Sequence, residues 1–232
     1  MASARDAIDV VLRDRGLRRS TPEHTAQSLL LGAAASARLE GDDVAPDLLA
    51  TGGGGPTARA AVRLSTQLLG LVPTWSRTPV QVLARLHSLA AAGSEPDASL
   101  GRPADPRGAE RLAALPARLA LDPALPALTA AALVHGEVLA ARAFATHNGV
   151  VARAAERLVL VARGVDPASV IVPEAGHAAS PHEYAEAVEG YLVGTESGTH
   201  QWLLYAAAAF ARGAEASPLP ISGRLSSDRA VD

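Results

Sequence analysis

The chain has 232 residues, 24 acidic against 21 basic side chains and a net charge of -3, so it lacks the basic field on which nucleic-acid phosphate binding depends. It contains neither Cys nor Lys, which excludes disulfides, thiolate nucleophiles, zinc ribbons, Walker A loops and Lys Schiff bases. Hydrophobic residues make up 48% but aromatic ones only 3%, a composition that builds a core of Ala, Leu and Val and suits one domain of closely spaced helices. The expected fold class is all-α.

Residues 1–19 alternate Arg and Asp around the apolar patch Ile8, Val10, Val11 and Leu12. That patch is too brief and too acidic for a signal or transit peptide, and a short helical extension is expected. Ser20-Thr-Pro-Glu23 reads as a capping box opening a helix over 21–40, with Gly41 as its stop. Thr51 to Gly55 reads as a linker, because no Gly-Lys-Ser/Thr follows its glycines. Further helices are expected over 56–71, ended by Pro73, and over 78–92, where Leu83, Leu86, Leu89 and Ala90 share one face. Gly93 to Gly108 forms the longest internal loop. Helices over 109–120, 124–142 and 150–163 follow, then Gly164-Val-Asp-Pro167 as a stop, then helices over 181–193 and 198–212. Residues 214–232 lack apolar periodicity and are expected to be a disordered tail, leaving 20–213 as the domain. Charges interrupt every long apolar run, so no membrane span is expected and the protein is placed in the cytoplasm.

The segment from Ala141 to Arg153 carries the chemistry. It joins the two most apolar helices through a loop ending in Asn148-Gly149, both residues that tolerate left-handed backbone angles. A turn of that type before a helix start presents free N–H groups at the positive end of the helix dipole and makes an anion site. Arg153, about one turn into the helix, can pair with the same anion. The bland reading of the same residues is a tight interhelical turn with Arg153 in a structural ion pair.

This segment resembles the signature of the Fic (Fido) family, His-x-Phe-x-Asp/Glu-Gly-Asn-Gly-Arg-x-x-Arg. The pattern falls on Arg142, Phe144, Thr146, His147, Asn148, Gly149, Val150 and Arg153, of which Phe144, Asn148, Gly149 and Arg153 match. Ser36-Ala-Arg-Leu-Glu40-Gly41 is similar to the family's inhibitory motif, Ser/Thr-x-x-x-Glu-Gly/Asn. Arg85 to Leu89 with Gly101-Arg102 is similar to the stretch before the family's substrate flap, and Leu133 to Leu139 to the helix leading into the signature. The resemblance covers 20–213 and implies phosphate binding by Asn148, Gly149 and Arg153, with an inhibitory pair between Glu40 and Arg153. It also implies ATP or another nucleotide as the ligand.

The departures bear on the reaction. The family's signature His accepts a proton from the target hydroxyl, and the residue here is Arg142, which offers donors only. The acidic magnesium position is Thr146, so magnesium lacks its carboxylate, and the first phosphate-binding Arg is Val150. The expected function is therefore a Fic-like domain that has lost AMP transfer and binds a phosphate-containing ligand or a protein partner. The alternative is an atypical nucleotidyl- or phosphotransferase using His147 and Arg142 in altered roles. His135, seven residues before Arg142, lies about 10 Å away along the helix, too far for the same proton. His177 and His182 with Glu174 and Glu183 match no metal-ligand spacing and read as solvated side chains, so no metal site is expected.

Overall fold

The computed structural model describes residues 20–219 except 123, together with 5, 6, 8–10 and 12. Its helices are α1 (Pro22–Leu39), α2 (Pro46–Ala50), α3 (Pro56–Leu68), α4 (Val72–Trp75), α5 (Pro79–Ala91), α6 (Pro106–Ala120), α7 (Ala127–Ala141), α8 (Asn148–Ala162), α9 (Pro173–Ala178), α10 (Pro181–Leu192) and α11 (Glu196–Glu215). Short 3-10 turns lie at Leu69–Leu71 and Asp97–Ser99. No strand is formed among the described residues, and Ala92 and Glu95 make an isolated bridge.

Proline sets most of the starts. Helices α1, α2, α3, α5, α6, α9 and α10 each begin on one. There the missing N–H would have had no partner in any case and the ring fixes a helical φ. Pro73 does the same at the second position of α4, so the ending expected there is instead a change of direction. Thr21 caps α1, and its N–H donates to His24 Nδ1 at 3.1 Å, one position later than the expected Ser20–Glu23 box. Gly41, at φ 85°, closes the same helix in a left-handed turn.

The centre is the α7–α8 hairpin. Every residue from Val150 to Leu160 is buried, and α7 is buried almost all round, as befits helices enclosed by others. Helices α1, α3, α4 and α5 pack against α8, while α6, α10 and α11 pack against α7. A β-carbon at Gly108 would collide with Ala141 O, so glycine lets the start of α6 press against the end of α7. There the N–H groups of Ala104 and Asp105 donate to Ala143 O at 2.7 and 3.2 Å, which fastens the loop after α7 from behind.

The fold also extends past the expected limits. Ile8 and Leu12, within the stretch expected to be an extension, are buried in the main core. Helix α11 runs on to Glu215 and Leu219 is 3% exposed, so 214–219 are packed rather than a disordered tail, while 220–232 lie outside the described residues. No helix among the described residues is long and apolar enough to cross a membrane.

Candidate functional site

Arg142, in the left-handed region at φ 45°, ends α7, and His147 at φ 60° precedes α8. Between them Asn148 holds the loop shut: Phe144 N–H donates to its Oδ1 at 3.1 Å, and its Nδ2 donates to Phe144 O at 2.7 Å. The Asn148 amide is thus spent on loop shape rather than held free for a ligand. Phe144 in turn stacks on His87 of α5, with ring centroids 4.2 Å apart and planes 4° apart. Gly101 N–H donates to His87 Nδ1 at 3.1 Å, so the loop after α5 is tied to the same ring.

Arg153 projects from the second turn of α8 and is 1% exposed. Its Nε donates to Ser36 Oγ at 2.9 Å and one terminal nitrogen to Tyr184 Oη at 3.2 Å. The other terminal nitrogen donates to Ser36 O at 3.1 Å and to Glu40 Oε1 at 2.6 Å. Glu40 reaches this position because it caps the C-terminus of α1, just before the Gly41 turn. Its carboxylate also lies over Gly149, where a β-carbon would take the place of Oε1. The first intrahelical bond of α8 runs from Val151 N–H to His147 O at 3.0 Å, so the N–H groups of Asn148, Gly149 and Val150 precede the ladder and face the helix start. The carboxylate therefore sits at the positive end of α8, clamped by a buried guanidinium.

These groups border one cavity of about 530 Å³. Arg142, Thr146, His147, Asn148, Gly149, Arg153 and Glu40 supply its polar side, and Leu39, Leu139, Val188 and Leu192 an apolar wall. The structure thus brings together Arg142, His147, Asn148, Gly149, Arg153 and Glu40. Ser36 is buried behind Arg153 and Gly41 serves the α1 stop. Val150 is 2% exposed and points into the core, not the cavity.

Glu95 and Tyr184 join the site without having been legible as part of it in the sequence. Thr146 Oγ1 hydrogen-bonds Glu95 Oε1 and lies 2.6 Å from His147 Nδ1. Glu95 Oε1 also stands 3.6 Å from His87 Nε2. Burial holds the His147 imidazole below its ordinary value, against the pull of Glu95, so it is neutral near pH 7. Burial lowers His87 likewise. Glu95 comes from the long loop at Gly93 to Gly108, and only tertiary structure sets it against residue 146. Tyr184, the third partner of Arg153, carried no signal beyond its place in an apolar helix pattern.

His177 and Glu174 correct the sequence reading. His177 and Glu174 are not solvated but 0% and 6% exposed, Glu174 pairing with Arg157 at 2.6 Å and His177 with Glu156 at 2.8 Å. His135 joins the same buried cluster from α7. His182 and Glu183 are exposed as expected.

No protein-family model matches the sequence, and no curated protein matches it. Solved structures do match the fold. A Fic family protein from Desulfovibrio desulfuricans G20 superposes with a TM-score of 0.70 at 16% identity, over 90% of this chain and 73% of its own. Fic-1 from C. elegans superposes with a TM-score of 0.66 at 12% identity, over 92% of this chain and 71% of its own. With its all-helical architecture and the α7–α8 hairpin carrying the loop at residues 142–147, this chain has the Fic fold.

Proposed function

We propose that the cavity binds a phosphate-bearing ligand, a nucleotide first among them, in a site that does not carry out AMP transfer. The observation that carries this reading is the seat of Glu40: one anionic carboxylate rests at the start of α8 with Arg153 at 2.6 Å. A phosphate presents the same charge and acceptor oxygens, so the groups that hold Glu40 fit a phosphate equally well. Arg142 at the rim adds five donors for further phosphate oxygens. The apolar wall of Leu39, Leu139, Val188 and Leu192 suits the uncharged portion of the ligand. Transfer is disfavoured because no base stands at residue 142, no carboxylate at 146, and a core valine at 150.

Thermal denaturation with ATP, ADP or pyrophosphate, with and without magnesium, tests the reading. ATP should raise the melting temperature whether or not magnesium is present, by about 5–10 °C at 100 times Kd. Arg153→Ala should abolish the shift. No shift with any of the three ligands would refute the reading.

A second reading, transfer to a hydroxyl, is favoured by the chain from Glu95 through Thr146 to His147, in which a neutral imidazole at the cavity mouth is oriented by a hydroxyl and a carboxylate. Label transfer from radioactive ATP separates the two readings. We expect no labelling by wild type or by Glu40→Gly, whereas labelling that disappears in Glu40→Gly/His147→Ala would establish the second.

A further inference from the structure

Away from the cavity, His135 of α7, Glu156 of α8 and His177 of α9 converge with every side chain at 0% exposure. Each offers a nitrogen or carboxylate oxygen, and these atoms lie within 4.8 Å of one another. We propose that His135, Glu156 and His177 bind one divalent transition-metal ion of the zinc type, held inside the helical core.

Three observations support this. First, His135 Nδ1 and Glu156 Oε1 face each other at 3.0 Å, both fully buried, and neither makes a well-aligned hydrogen bond to the other or to any other group. Two ligand atoms at that separation fit a common cation about 2.1 Å from each, at an angle near 90°. His177 Nε2, at 2.8 Å from Glu156 Oε2, flanks the carboxylate on the other side. Second, the outer ring nitrogens are already anchored. His135 Nε2 is 3.0 Å from Tyr184 Oη and His177 Nδ1 is 3.0 Å from Tyr205 Oη, the outer-partner arrangement that orients metal-binding imidazoles.

Third, the charge of Glu156 needs compensation. Its side chain is 0% exposed, where a carboxylate without a cation is costly. The nearby arginines of the same helix are engaged elsewhere, Arg153 with Glu40 and Arg157 with Glu174. Trp202 lies edge-on to His135 at 5.1 Å and closes the cluster from water. Two imidazoles and one carboxylate match the ligand preference of zinc and its neighbours rather than of calcium or magnesium.

Because the ligands come from three helices and none is exposed, the ion enters as the helices close and leaves only when they open. The test uses tag-free full-length protein. Elemental analysis after dialysis of the native protein against a chelator should find about one ion per chain. Unfolding in guanidinium with chelator, followed by refolding without metal, should remove it and lower the melting temperature, and adding zinc during refolding should restore both. Cobalt refolded into the site should give a visible spectrum of low coordination number. In His177→Gln, which keeps the volume and a hydrogen-bonding side chain, the metal content and the zinc-dependent shift should vanish. Should His177→Gln fail to fold, the wild-type refolding comparison still decides. A wild-type protein that is free of metal and melts at the same temperature after refolding with or without zinc would overturn the proposal, leaving a protonated imidazole as the counterion of Glu156.

Discussion

Two glutamate–arginine pairs stand on the same face of α8, and their surroundings set them apart. Glu40 retains 36% of its side-chain exposure against 2% for Arg153, whereas Glu174 and Arg157 retain 7% and 2%. Water solvates an abandoned Arg153 through the cavity, but without Glu174 the buried Arg157 keeps only neutral hydrogen-bond partners, the hydroxyls of Ser28 and Ser169 and the Ser28 carbonyl. Urea denaturation should therefore show Glu40→Ala costing about 1 kcal/mol or less and Glu174→Ala about 3–5 kcal/mol. Equal costs would mean that the Glu40 pair is a structural brace. The Glu40–Arg153 pairing was legible in the sequence because both residues fall on recognisable motifs. The Glu156 cluster was not, since His135, Glu156 and His177 share no spacing and meet only through the packing of three helices.

At the scale of elements, long amphipathic helices were legible and short ones were not. Periodicity needs several turns, and α2 with 5 residues and α9 with 6 offer too few. Pro46 and Pro173 were the available signals, and each starts a helix. The start of α8 was placed two residues late because Asn148-Gly149 reads as turn, yet both residues are helical. That placement matters for Gly149. Alanine favours a helix, but its β-carbon would occupy the position of Glu40 Oε1, where the phosphate is expected. Gly149→Ala should keep the fold, release Glu40 and still lose the ATP-dependent thermal shift, unlike Glu40→Gly. A full shift in Gly149→Ala would place the phosphate elsewhere in the cavity.

For the whole molecule, the hairpin packs between a main core and a smaller cluster of Tyr184, Tyr191 and Trp202, and stability responds to pH through the groups buried there. His87 and His147 are held neutral in the folded protein by burial, below the ordinary imidazole value of 6.5. The unfolded chain therefore binds more protons below that value, and stability should fall as pH drops through it and stay level above. A melting temperature that does not fall between about pH 7 and pH 5 would contradict this. The fold class and the place of the site followed from composition, from helical periodicity and from a half-matching signature. The cavity's apolar wall, built largely from α10, and the ties from Glu95 and His87 depend on how distant segments pack. Glu40 is proposed to occupy the phosphate position, and calorimetric titration of ATP into wild type and Glu40→Gly tests this most directly. If the lock is worth about 1 kcal/mol, Glu40→Gly should bind about fivefold tighter than wild type at one site per chain. Equal affinity in the two proteins, or no binding by either, would contradict it.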